Sequence, residues 1–127
     1  NLSLREERIL ECPSYYEGDS YTTIKTWLAK VELPQAIVCA NDAIALDAWR
    51  VLKEFKLWPG EKMALIGFDD IKEGSVRSPS LTTVKQPLYQ MGCDAVDILL
   101  EKIEYPGGKK EPIQRCYKPE LIVRQSA

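Results

Sequence analysis

Two short polar pairs are the groups best placed to do chemistry: Asn41-Asp42 and Asp69-Asp70, each closing an apolar run. An Asn amide offers N–H donors and a carbonyl acceptor, and an ionised Asp accepts from two neighbouring hydroxyls. Together they suit a vicinal diol or another small polar molecule. Asx residues also serve as plain helix and turn starters. Capping or loop structure is the better reading of Asp42 and Asp70, whereas Asn41 and Asp69 read as ligand contacts. Tyr15 and Tyr16, on a turn after a first predicted strand, add an aromatic face that could pack on the apolar side of a ring.

What is missing narrows the chemistry further. The 127 residues include no histidine, which removes Ser-His-Asp and Cys-His catalysis and any His-ligated metal. Cys12, Cys39, Cys93 and Cys116 are scattered, with no C-x-x-C pair, and read as buried free thiols of a reducing compartment. No nucleophile–base pair, phosphate loop or metal constellation is present, so the chain is expected to bind and not to catalyse, without cofactor or metal. Acidic strand ends with Thr82, Thr83 and Lys85 downstream bear on a phospho-accepting receiver domain. The order does not fit, because one helix alone separates Asn41-Asp42 from Asp69, and Gln86 follows Lys85 before Pro87.

Lys and Arg number 17 against 19 Asp and Glu, a formal charge of -2. A nucleic-acid face is normally basic, so any DNA contact is expected from outside this segment. No apolar run approaches the ~18 residues of a membrane helix, and Asn1 to Glu6 is no signal peptide. A start without methionine is what a fragment would show. The length fits one compact domain of the usual roughly 50–250 residues.

The elements that must position these groups follow from hydrophobic spacing. Arg8 to Cys12 reads as a short strand. Tyr21, Ile24, Leu28 and Val31 recur at helical spacing behind an Asp19 or Ser20 cap. Ala36 to Ala40 and Met63 to Phe68 are continuous apolar runs, as expected of strands buried on both faces of a parallel sheet. Between them Ala43 to Phe55 predicts a helix capped by Asp42, with Ile44, Ala45, Ala48, Trp49, Leu52 and Phe55 inward and Asp47, Arg50, Lys53 and Glu54 largely outward. A loop around Gly74 to Ser80 leads to a strand at Leu81 to Val84. Gln86-Pro87 then starts a helix whose Leu88, Met91, Ala95, Leu99, Lys102 and Ile103 share a face, ended by Tyr105 to Gly108. Ile113 to Arg124 reads as a short strand pair or edge segment broken by Pro119. Strand, helix and strand with short links make a βαβ unit, so the fold class is α/β, a parallel sheet flanked by helices. Ligands of such sheets sit beyond the carboxyl ends of the strands, where Asn41 and Asp69 fall.

Three segments in order, Pro34 to Leu46, Leu65 to Ile71 and Ser80 to Pro87, resemble the LacI/GalR family of bacterial transcription regulators. Tyr89 to Gly92, Ala95 to Leu100 and the closing Pro119 to Ser126 continue the likeness, which covers nearly everything from about Glu17 onward. It implies one lobe of a type I periplasmic-binding-protein-like effector core, with the N-terminal lobe largely missing from this sequence. By the same resemblance, residues 1–85 would form the C-terminal effector lobe. Residues 86–108 would be a crossover and helix belonging with the other lobe, and residues 109–127 a return strand.

The resemblance also implies roles. Asn41 falls on the family's effector-contacting asparagine, Asp69 on its ligand-binding aspartate and Gln86 on a position at the crossover. Tyr15 falls on the aromatic position that stacks against ligand, with Tyr16 the alternative if the turn is shifted by one. Leu46, Arg50, Val76 and Arg77 fall where the family's homodimer forms, and Leu46 lies off the main apolar face. Gly18 to Tyr21 departs from the usual pattern. The implied protein is cytoplasmic, binds a sugar or sugar derivative between two lobes, and meets DNA through an N-terminal helix-turn-helix. A periplasmic solute-binding protein of a transport system is the alternative from another class.

Overall fold

The computed structural model describes residues 5–105 and 112–127. The predicted helix stop at Pro106 to Gly108 lies outside them. Two compact units are present. The first comprises residues up to Lys85 together with Leu121–Ala127, and the second comprises Gln86–Glu120.

β1 (Ala36–Val38), β2 (Ala64–Phe68), β3 (Thr82–Lys85) and β4 (Glu120–Ile122) form a four-stranded sheet in the order β1-β2-β3-β4, all but Glu120 in the first unit. The β1–β2 and β2–β3 pairs are parallel, with Val38 opposite Ile66 and Phe68 opposite Val84. Helix α1 (Tyr21–Leu28) packs on α2 (Asp42–Glu54), and α2 packs on β2. The core lies there: Ile24, Leu28, Ile44, Ala48, Trp49, Leu52, Met63, Leu65 and Leu81 form one buried cluster. The βαβ reading and the parallel sheet are therefore as the apolar spacing predicts.

Four local expectations are corrected. Arg8 to Cys12 is not a strand. Glu6–Arg8 forms a 3-10 turn and Ile9 is extended, but no ladder pairs with the segment, although Leu10 and Cys12 still turn toward the core. A short apolar run is compatible with an extended backbone, whereas a strand also needs a neighbour with free hydrogen-bonding groups.

Neither apolar run is buried on both faces. In β1 Val38 is 75% exposed, because this strand forms an edge of the sheet. In β2 burial alternates, with Leu65 and Gly67 covered and Ala64, Ile66 and Phe68 half-buried. The second face of the sheet is incompletely covered, so the period-2 pattern of a half-buried sheet replaces the expected two-sided burial.

The loop after β2 contains a short helix, α3 (Lys72–Ser75), where no helical period was legible. Of the cysteines, Cys39 alone is buried: Cys12 and Cys93 are half-buried, Cys116 is exposed, and all are free thiols.

The second unit is dominated by α4 (Leu88–Glu104), which buries none of its residues. Leu88, Val96, Leu99, Leu100 and Ile103 are each at least half exposed. Its structure is held by a polar cluster around Asp94, which accepts from Gln90 Nε2, Tyr117 Oη and Arg115. The Tyr117 hydroxyl and the Arg115 guanidinium hold the Asp94 carboxyl below its ordinary value. No described helix is long and apolar enough to cross a membrane.

Candidate functional site

Because β1, β2 and β3 run parallel, the residues that follow them emerge at one edge of the sheet. Asn41 follows β1 and Asp69-Asp70 follow β2. Asn41, not Asp42, is the N-cap of α2: its Oδ1 accepts from the Ile44 amide at 2.9 Å. Its Nδ2 donates to the Tyr15 carbonyl at 2.9 Å. One Nδ2 hydrogen and one Oδ1 lone pair remain, which is one donor and one acceptor for a ligand.

Asp42, expected as the cap, is instead the first residue of α2 and is buried at 1% exposure. Its Oδ1 accepts from Thr83 Oγ1 at 2.6 Å and its Oδ2 from the Ile71 amide at 2.9 Å. Burial pushes the Asp42 carboxyl up, the two hydrogen bonds work against that, and the charges of Asp69 and Asp70 add to the rise. Asp42 is thus the internal tie that fixes the start of α2 to β3 and to the turn after β2. Gly67 in β2 makes this tie possible, since a Cβ there would stand 2.1 Å from Asp42 Oδ1.

The turn after β2 has an unusual backbone. Asp69 has φ of 114° and Asp70 φ of 58°, the left-handed region that residues with a side chain rarely adopt. Such conformations persist where surrounding bonds over-determine them, and they concentrate at ligand sites. Here the Asp69 amide donates to the Val84 carbonyl at 2.9 Å, and Asp70 forms an ion pair with Arg124. Asp70 is therefore structural, as expected, while Asp69 is half-buried at the sheet edge.

Tyr15 and Tyr16 are 71% and 77% exposed, on the turn whose Tyr15 carbonyl is held by Asn41. Tyr15, Asn41 and the Asp69-Asp70 turn are thus gathered around the start of α2. Gln86 opens the second unit and is half-buried. Arg50 and Val76 are exposed, and Arg77 is half-buried with its guanidinium 3.5 Å from Glu17. Leu46 is corrected: it is fully buried, a core side chain with no surface to offer a partner. Asp47, expected to face outward, is also fully buried and is the residue that sequence reasoning missed. Helical spacing sets Asp47 beside Arg50 and Glu54, away from the apolar stripe, so no local signal marks it; its burial comes from the distant turn whose Gly18 and Ser20 amides reach its carboxylate. A separate groove of about 330 Å³ lies before β2 and β3, beside Trp58, Pro59 and Pro79, and shares no residue with the candidate site.

The match to known proteins follows from this fold and edge. The periplasmic binding protein-like domain matches residues 2–127. The chain belongs to this family, in the form that serves LacI/GalR-type regulators as effector-binding core. It is 40% identical over 129 residues to the HTH-type transcriptional repressor PurR of Haemophilus influenzae (strain PittEE), covering 98% of this chain and 37% of that protein. It therefore spans little more than a third of the length of that relative. A LacI-family regulator from Sanguibacter keddieii superposes with a TM-score of 0.91 at 29% identity, over 98% of this chain and 46% of its own. A LacI family regulator from Enterococcus faecium with bound ribose gives 0.78 at 25% identity, over 92% and 42% of the two chains. These relatives are regulators of transcription and not enzymes.

Proposed function

We propose that this chain supplies one wall of the sugar-binding cleft of a LacI/GalR-type repressor or activator. In this reading residues 1–85 are the effector lobe, residues 86–108 a crossover and helix of the other lobe, and residues 109–127 the return strand. Asn41 and Asp69 hydrogen-bond the hydroxyls of a sugar or sugar derivative, and the Tyr15 ring covers its apolar face. The single observation that carries the reading is the convergence of Asn41, the Tyr15 turn and the left-handed Asp69-Asp70 turn around the first turn of α2. The ribose bound to the Enterococcus faecium relative favours a sugar over other polar ligands.

Occupancy would be transmitted by closure of two lobes, since a ligand that touches both favours the closed arrangement by its differential affinity. The full protein would act as a cytoplasmic homodimer, with Arg50, Val76 and Arg77 in the interface and the DNA contact made by a helix-turn-helix head. Neither catalysis nor a cofactor is part of this reading.

A thermal-shift screen of the full-length protein against sugars, sugar phosphates and purines, repeated with Asp69→Ala, tests the site. A stabilising sugar whose effect disappears in the variant supports it. A shift that survives in Asp69→Ala moves the site elsewhere. For the interface, Val76→Asp should convert a dimer to a monomer in sedimentation, and an unchanged dimer removes Val76 from it.

A further inference from the structure

Asp47 sits in the middle of α2 with no exposed surface. A buried carboxylate is costly unless its oxygens are met, and here they are met chiefly by the backbone of a distant turn. The Gly18 amide lies 2.9 Å from both carboxylate oxygens and the Ser20 amide donates to Oδ2 at 3.0 Å. Arg50 stands 3.6 Å from Oδ1. Ser20, the N-cap residue of α1, makes no side-chain capping bond, and its buried hydroxyl has no hydrogen-bond partner.

Gly18 and Ser20 close the same turn that carries Tyr15 and Tyr16. Gly18 has φ of 100°, with open space where a Cβ would stand, so it is the left-handed backbone and not crowding that favours glycine there. The front of this turn is held by Asn41 Nδ2 on the Tyr15 carbonyl. Its middle is held by the Glu17–Arg77 ion pair. Helix α2 therefore grips the turn at both ends, through its N-cap Asn41 and through Asp47 further along.

We propose that Asp47 is a positioning residue for effector binding: it holds the Tyr15-Tyr16 turn over Asn41 and so fixes where the aromatic face receives a sugar ring. The proposal rests on the sugar-binding reading above. Asp47 itself touches no ligand. Its carboxylate sets the turn through the Gly18 and Ser20 amides, and two charge-assisted bonds to a side chain with no exposed surface leave that turn little freedom.

The test compares full-length wild type with Asp47→Asn and Asp47→Ala by hydrogen exchange and by calorimetric titration with a panel of aldoses that includes D-ribose. In Asp47→Asn, amides 15–20 should exchange faster while α2 and the sheet keep their protection. Affinity for the aldose that binds wild type should fall about tenfold, the equivalent of one lost charge-assisted bond. Asp47→Asn keeps the shape and one acceptor, so it remains the decisive variant if Asp47→Ala loses its fold. Unchanged exchange at 15–20 overturns the proposal. Faster exchange with undiminished affinity also overturns it, leaving Asp47 as a cap of α1. If wild type binds no aldose, the sugar reading fails and the ligand role of Asp47 fails with it, while the exchange result still reports whether Asp47 holds the turn.

Discussion

Thr83 in β3 donates its hydroxyl to Oδ1 of Asp42 at 2.6 Å, joining the sheet to the first turn of α2 inside the buried core. The other oxygen of Asp42 takes the Ile71 amide, so one carboxylate fixes the start of a helix, a neighbouring strand and the turn behind Asp69. A group with three tasks should be sensitive to each of its partners.

Thr83→Val removes the hydroxyl and keeps the branched shape. Asp42 is then left with a buried oxygen lacking a donor, at an expected cost of about 1–3 kcal/mol of unfolding free energy. Urea denaturation of the two proteins measures it. A change within ~0.5 kcal/mol, the range of an ordinary surface substitution, would show that the bond is not formed in solution.

Burial raises the Asp42 carboxyl above its ordinary 3.8, so the folded protein keeps this proton to higher pH than the unfolded chain does. In that window the folded state binds more protons, and stability falls as pH rises from 3.8 through the raised value. Asp42→Asn has nothing to ionise. The stability of wild type relative to Asp42→Asn should therefore decline with rising pH across the window and then level off. A difference that is flat from pH 3 to 7, or one that rises, contradicts the raised carboxyl.

Gly67→Ala places a Cβ 2.1 Å from Asp42 Oδ1 and 3.1 Å from Leu81 Cδ2. Neither neighbour can retreat, because Asp42 is tied to Thr83 and Ile71, and Leu81 is fully buried. The expected loss is at the upper end of the roughly 1–3 kcal/mol typical of overpacked cores, read as a lower midpoint in denaturant. Tolerance of alanine here would mean that α2 sits further from β2 than described.

Burial pushes the Cys39 thiol up to about 12, with the nearby Cys12 and Asp42 charges adding to the rise. The thiolate is the reactive form, so Cys39 should resist alkylation in the folded protein at pH 8. Cys116 is exposed and should label first, ahead of Cys12 and Cys93. Mass spectrometry after a short maleimide pulse gives the order, and early labelling of Cys39 would place it outside the core.

Much of the fold was legible because hydrophobic spacing is a local property. The inward stripe of α2, from Ile44 through Leu52, and the runs at β1 and β2 each announce their element without reference to the rest of the chain. Asn41 and Asp69 were legible for the same reason: a polar pair that halts an apolar run marks a strand end wherever the strand lies. Arg8 to Cys12 carries a short apolar run of the kind a strand shows, while strand formation depends on a partner that no local pattern reveals.

The acids show the limit most clearly. Asp42, Asp47, Asp69 and Asp70 are the same side chain, and composition ranks them alike. By itself the sequence determined the βαβ order, the parallel sheet and which residues gather at its carboxyl edge, since these follow from period and chain direction. Only the tertiary structure decided that Asp42 ties β3 to α2, that Asp47 holds the Gly18 and Ser20 amides, and that Asp70 pairs with Arg124. The physical reason is that a carboxylate's role is set by which donors reach it and how much water is excluded, and those partners lie 27 to 54 residues away along the chain.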